Sequence, residues 1–312
     1  MKGPLFYSKI LLFGEYGIIK DSKGLSIPYN FYNGALKVDN DPSVEAKRSN
    51  QSLIAFSKYL ENLQQEQPDL VTFDIEALKN DVEAGMYFDS SIPQGYGVGS
   101  SGALVAAIYD KYANDKITVL ENLTREKLLK LKGIFSAMES FFHGKSSGLD
   151  PLNSYLSIPI LINSKDNIEP TGIPSQNEAG KGAVFLLDSG ITGETAPMVN
   201  IFMENMKQEG FRKMLKEQFV TYTDACVEDF LKGNINSLFG NIKKLSHVVF
   251  DNFKPMIPQQ FHKLWQQGIE SNDYYLKLCG SGGGGYILGF TEDIEKARAA
   301  LHGHKLEVVY TF

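Results

Sequence analysis

The sequence has only two cysteines, Cys226 and Cys279, far apart in the chain. They make neither a disulfide framework nor the close spacing of a metal site, which predicts a reducing, cytoplasmic setting. Basic excess is also missing: 31 Lys and Arg stand against 37 Asp and Glu, a formal net charge of -6. No broad basic face follows from that balance, so nucleic acid is excluded as a partner, while a local lysine can still hold a small anion. No run approaches the ~20 apolar residues that span a bilayer, so no membrane partner is expected. The opening MKGPLFYSKILLFGEYGII is apolar, but Lys9 and Glu15 interrupt it and no small-residue cleavage pattern follows. It reads as a strand and not as a signal peptide. Internal repeats are absent, and the only low-complexity tract is Gly280 to Gly285.

What is present is ordinary globular composition, 43% hydrophobic and 22% charged over 312 residues. That length suits one large domain or two closely packed ones. The turn-rich stretch 164–180 marks the softest boundary, giving 1–180 and 181–312. In the first part, PLFYSKILLF (4–13) reads as a strand closed by Gly14. Residues 24–46 read as short strands and turns, with a hairpin at Asn33-Gly34. A surface helix is expected over 51–65, strands over 70–78 and 84–92, and a strong helix over 124–144 that Thr124 can cap. Residues 143–150 read as a loop and 155–162 as a strand. The second part is helix-rich: 200–233, with Gly210 as a weak point, then 235–253 and 258–271. A strand, glycine turn and strand follow over 273–290, then a short helix and a last strand.

The chain is organised around Pro93-Gln-Gly-Tyr-Gly-Val-Gly-Ser-Ser-Gly102, which opens a helix running to about Asn114. Glycines let backbone approach a ligand, and a helix start offers unpaired N–H groups and a positive dipole end. This is an anion site, with phosphate the usual anion. Gly97-Val-Gly99-Ser-Ser-Gly102 also matches the dinucleotide pattern G-x-G-x-x-G, with Glu121 about where a ribose-binding acid falls. Against that reading, FDSSIP is polar and proline-terminated, no regular βαβ alternation follows, and paired serines have no role in a pyrophosphate turn. Hydroxyls do suit phosphate and Mg²⁺. A Walker A loop fails, because no Gly-Lys-Ser/Thr closes it. Lys9 and Glu15, on either side of the turn at Gly14, read alone as a strand-edge lysine and a solvated acid or as a facing pair. Asp150 alone reads as a turn or cap residue or as a catalytic acid. Glu139, near a helix C-terminus that disfavours a carboxylate, reads as solvated or functional.

Four segments together resemble the GHMP kinases (galactose, homoserine, mevalonate and phosphomevalonate kinases). PQGYGVGSSGAL is similar to their second motif, P-x-G-x-G-L-G-S-S-A-A, and SKILLFGEYGII (8–19) to the first, which in mevalonate kinases reads G-K-[IV]-x-L-x-G-E-H. KLCGSGGGGYILGF (277–290) is similar to the third, K-x-[ST]-G-[AS]-G-G-G-G. HGKSSGLD (143–150) resembles the H-G-x-P-S-G-[IV]-D stretch of the mevalonate kinases. The resemblance implies an α+β GHMP kinase fold, with an N-terminal ribosomal-S5-like α/β domain, a C-terminal ferredoxin-like α+β domain, and the active site between them. It implies an ATP- and Mg²⁺-dependent kinase acting on a small-molecule alcohol, first of all the 5-hydroxyl of mevalonate, as monomer or homodimer. Phosphomevalonate or a sugar is the next acceptor. A catalytically silent ligand-binding homologue is the alternative from another class.

By the same resemblance Asp150 accepts or orients the acceptor proton and Lys9 favours the alkoxide. Gly95, Gly97, Gly99, Ser100, Ser101 and Gly102 wrap the ATP phosphates. Glu139 holds Mg²⁺ with Ser100 or Ser101. Glu15, Tyr16 and His143 face the acceptor, and Gly280, Ser281, Gly282 and Gly283 form a supporting loop. The chain departs from the pattern at five positions. Tyr16 stands for His, Gly102 for Ala, Ser146 for Pro, Pro151 for Asn and Cys279 for Ser or Thr.

Overall fold

Two long strands carry the chain through both of its parts, β1 (Phe6–Phe13) and β2 (Gly24–Lys37). The structure is a computed structural model and describes residues 4–39, 41–118 and 123–312. Glu121, the acid of the dinucleotide reading, lies outside the described residues. The chain divides into two units: 1–9, 28–93 and 99–158 form the first, and 10–27, 94–98 and 159–312 the second.

In the first unit the end of β2 pairs antiparallel with β3 (Tyr87–Ser90), Gly34 opposite Ser90 and Lys37 opposite Tyr87. The hairpin expected at Asn33-Gly34 therefore does not form, and β2 runs straight through it. Gly34 has another use there, since a Cβ on it would lie 2.3 Å from the Phe88 ring. Among the described residues five helices complete the unit: α1 (Val44–Glu66), α2 (Ile75–Glu83), α3 (Ser100–Tyr112), α4 (Arg125–His143) and α5 (Leu149–Leu156). The α1 helix begins earlier than its apolar spacing implies, because Ser43 accepts from the Ala46 N–H at 3.1 Å and caps a polar first turn. Residues 70–78 are not a strand. Asp74 caps α2 by accepting from the Ala77 N–H at 3.0 Å, and only Phe73 makes a β-bridge, to Ala113. Thr124 caps α4 as expected, accepting from Lys127 N–H.

Between Gly102 and Tyr109 helix α3 carries no charged residue and is buried nearly all round, as an apolar stretch requires. Tyr109, Phe135 and Tyr155 meet edge to face at centroid distances of 5.0, 5.2 and 5.6 Å, tying α3 to α4 and α5. That packing explains why 149–156 is helix: Tyr155 and Leu156 are the buried end of α5, and the strand expected over 155–162 starts only at Ile160.

In the second unit the start of β2 pairs with β4 (Ile160–Ser164), and β4 with β5 (Asn167–Pro170), inside the stretch read as a boundary. The rest follows a β-α-β-β-α-β plan. Strand β6 (Ala183–Asp188) leads through helices to β7 (Tyr275–Leu278) and β8 (Tyr286–Thr291), then a short helix and β9 (Leu306–Thr311). The sheet order is β7-β8-β6-β9, all antiparallel, the ferredoxin-like arrangement expected for this half. Strands β7 and β8 are buried along their whole length. The helices are α6 (Thr195–Asn205), α7 (Glu209–Met214), α8 (Thr221–Lys232), α9 (Ile235–Asn252), α10 (His262–Ser271) and α11 (Ile294–Ala300). The single helix expected over 200–233 is thus divided. It breaks between Asn205 and Glu209, beside the weak point at Gly210, and a π-helical turn (Leu215–Val220) joins α7 to α8. Among the described residues no helix is long and apolar enough to cross a membrane.

Candidate active site

In the first unit β1, α3, α4 and α5 bring Lys9, Ser100, Ser101, Glu139, His143 and Asp150 onto their facing ends. Asp150 stands in the first turn of α5, where the helix dipole favours a carboxylate. Its Oδ1 lies 2.9 Å from the Lys9 Nζ, with the lysine side chain 4% exposed and the aspartate 38%. A buried ammonium thus meets a carboxylate that remains reachable from outside. The stem of Lys9 runs along Gly99, whose Cβ would lie 3.0 Å from Lys9 Cγ.

Helix α3 starts at Ser100 with Gly99 left-handed at φ 83° and no side-chain cap, so its first N–H groups stay available to a ligand. Gly95 and Gly97 are also left-handed, at φ 75° and 77°. Left-handed glycines thus alternate with Tyr96 and Val98 along the loop, the kind of backbone alternation that can turn successive N–H groups toward an anion. The Ser100 hydroxyl makes no side-chain hydrogen bond among the described residues. Ser101 is engaged: its Oγ donates to Glu139 Oε1 at 2.9 Å and lies 3.0 Å from His143 Nε2. With that proton given to Glu139, the imidazole Nε2–H donates to Ser101. His143, expected at the acceptor, makes this contact from an exposed position.

Glu139 is buried, at 4% exposure. Burial first, then the Asp150 charge, pushes its carboxyl up to about 7, against the opposing pull of the serine hydroxyls and Lys9. The second hydroxyl belongs to Ser146, which donates to Glu139 Oε2. In the sequence Ser146 is only a departure from the motif, and nothing in a lone serine signals that partner. The donors here are all hard oxygens, which suits Mg²⁺, and a cation would relieve the repulsion between two neighbouring acids. Among the described residues no three of His, Cys, Asp and Glu form a metal cage. Mg²⁺ typically uses one or two carboxylates plus phosphate oxygens, so the residues present fit it.

In the second unit the glycine loop and the third motif segment are packed together. Gly95 O accepts from Gly193 N–H at 2.9 Å and Tyr96 O from Tyr286 N–H at 3.3 Å. A Cβ on Gly97 would lie 2.6 Å from Cys279 O. Gly283 N–H donates to Met256 O at 2.7 Å. Glu15 is buried and its Oε1 lies 2.6 Å from Lys277 Nζ, also buried. Lys277 heads the third motif segment, but sequence alone assigned it no role. Tyr16 is buried in turn. Its hydroxyl donates to Ser281 O at 2.7 Å and its ring stacks on Phe202 at 4.7 Å. Glu15, Tyr16, Phe219, Thr223 and Lys277 line a small cavity of about 10 Å³.

Residues 56–157 match the family described as the GHMP kinases N terminal domain. Solved structures share the fold along the whole chain. The mevalonate kinase of L. major in complex with R-mevalonate is 17% identical, with 100% of this chain and 99% of that one covered and a TM-score of 0.65. The Lactococcus lactis galactokinase complexed with galactose is 12% identical, with 98% and 92% covered and a TM-score of 0.64. The Streptococcus pneumoniae phosphomevalonate kinase in complex with phosphomevalonate and AMPPNP is 13% identical, with 98% and 99% covered and a TM-score of 0.63. No curated protein matches the chain in sequence. Residues 56–157 thus carry the sequence signature of the GHMP kinases N terminal domain, and the chain as a whole shares its fold with these kinases.

Proposed function

We propose that the chain is an ATP-dependent phosphotransferase with a small-molecule alcohol as acceptor, mevalonate before others, phosphorylated on its 5-hydroxyl. The observation that carries this is the buried Lys9 ammonium 2.9 Å from a half-exposed Asp150 carboxylate, beside a helix start headed by serines. Phosphoryl transfer asks for positioning and charge neutralisation more than for covalent catalysis. The backbone N–H groups of 95–102 bind the phosphates. Asp150 takes the proton that the acceptor hydroxyl must lose as its oxygen bonds to the γ-phosphorus of ATP and the bond from that phosphorus to the departing ADP oxygen breaks. Lys9 orients Asp150 and stabilises the negative charge that grows on that oxygen. Glu139 and Ser100 would hold Mg²⁺, while Ser101 orients Glu139. When bound, the ion neutralises the phosphate oxygens. Residues 1–180 carry the ATP loop and the catalytic pair, and 181–312 the supporting loop. The enzyme works in the cytoplasm as monomer or homodimer.

Tyr16, in place of the motif's histidine, favours a second reading of the acceptor, as phosphomevalonate or a sugar. A coupled ADP-release screen over mevalonate, phosphomevalonate, galactose and homoserine decides between them. ADP release with mevalonate alone supports the first choice. Release with none of the four turns the reading towards a silent ligand-binding homologue.

A further inference from the structure

Glu139 is held from two sides by hydroxyls. Ser101, on α3, donates to Oε1, and Ser146, in the loop before α5, donates to Oε2. A carboxylate oxygen accepts about two hydrogen bonds, so one donor on each leaves a lone pair on each for a cation. One donor alone would let the carboxylate turn about its last bond; two, from different elements, fix its plane. Ser146 is itself anchored. Its Oγ accepts from the Gly148 N–H at 3.0 Å, and its carbonyl accepts from Ser136 Oγ at 2.6 Å.

We propose that Ser146 is a positioning residue that fixes the plane of the Glu139 carboxylate and so sets its affinity for the divalent cation. The proposal rests on the metal role given to Glu139 above. The Ser146 side chain touches Glu139 and the Gly148 N–H of its own loop, its carbonyl is held by Ser136 of α4, and it acts on the cation only through Glu139. The proline that the related motif carries here has no hydroxyl, so the device belongs to this chain's own sequence.

The test uses the full chain, a saturating non-hydrolysable ATP analogue, and Mn²⁺ titrated in its place for Mg²⁺ and followed by electron paramagnetic resonance. Ser146→Ala is expected to weaken Mn²⁺ binding about ten- to hundredfold, the usual effect of removing a ligand's orienting partner. The metal-free affinity for the analogue stays unchanged, and Ser146→Thr restores most of the loss. Ser146→Cys keeps the shape but offers a weak donor, and makes the same test should the alanine variant not fold. In a Glu139→Gln background, already weakened, adding Ser146→Ala changes nothing further, because the two residues act as one unit. Wild-type Mn²⁺ affinity in Ser146→Ala, or additive losses in the double variant, overturns the positioning role. If Glu139→Gln weakens Mn²⁺ binding and Ser146→Ala does not, only the part given to Ser146 falls. If Glu139→Gln binds Mn²⁺ like the wild type, the metal role of Glu139 falls and takes this proposal with it.

Discussion

Gly102 lies so close to Asp150 that a Cβ on it would be 2.8 Å from the Asp150 carbonyl carbon and 3.0 Å from the Asp150 Cβ. The related motif has alanine at this position, and here an alanine must push the first turn of α5 away from α3. Gly102→Ala is expected to cost about 1–3 kcal/mol, the usual price of overpacking. Because the displaced turn carries Asp150 off Lys9, turnover should fall even where the variant is fully folded. Calorimetry beside steady-state ADP release checks both; an unshifted melting temperature with full turnover would show that the two helices separate freely.

Asp150→Asn keeps the shape of the site and removes the proton acceptor. ATP-analogue binding should stay near wild type while turnover falls by about 10²–10⁴-fold, the range for loss of a general base. Near-wild-type turnover on the true acceptor would remove Asp150 from the chemistry.

The Glu139 carboxyl is held up at about 7 by burial first and the Asp150 charge second, whereas the unfolded chain releases that proton near 4.5. The folded form therefore favours the protonated acid. Its contribution is complete below about 4.5 and is lost as pH rises through about 7, on the order of 3 kcal/mol in all. Metal-free protein should lose urea resistance over that window, and Glu139→Gln should flatten the slope. Equal slopes in the two proteins would mean that the folded site ionises as easily as the unfolded chain.

Glu15 and Lys277, 2.6 Å apart and 6% and 4% exposed, are each other's charge partner inside the second unit. Lys277→Met should destabilise by about 3–5 kcal/mol, because it leaves a buried carboxylate uncompensated. The double variant Glu15→Leu/Lys277→Met should recover part of that loss. Denaturant midpoints measure both, and a double variant no better than the single one would point to the other contacts of Glu15.

The glycine loop, Lys9, Glu139 and Asp150 stand out in the sequence because they sit in short segments whose order and spacing match a known pattern, and the structure brings Lys9, Glu139 and Asp150 together. The ferredoxin-like half was legible too, since its strands are apolar runs closed by glycine or helix. What failed did so where tertiary contact overrides local preference. Asn33-Gly34 is a strong turn signal, yet the Phe88 ring needs the space above Gly34 and Ser90 supplies the pairing. Phe73 to Leu78 alternates like a strand, yet Asp74 caps a helix there. Tyr155 and Leu156 look like the start of an apolar strand, yet they close a helix against Tyr109 and Phe135. Ser146 and Lys277 lie inside the motif segments, but the partner of a side chain has no trace in its own segment: Ser146 reaches Glu139 seven residues back, and Lys277 reaches Glu15 across a sequence separation of 262.

The π-helical turn Leu215–Val220 sets a limit on chain length in the second unit. Leu215 and Phe219 are buried on it, and Thr223, Cys226, Val227 and Phe230 continue the buried stripe along α8. The wide turn holds one residue more than an α-helical turn would, and deleting that residue would rotate all of α8 by about 100°. Phe230 would then leave Phe13 and Tyr310, whose rings it meets at 6.3 and 5.1 Å. Single-residue deletions between 215 and 220 should therefore be far worse tolerated than substitutions at the same sites. Homologous chains that differ here in length should differ in the phase of the following helix.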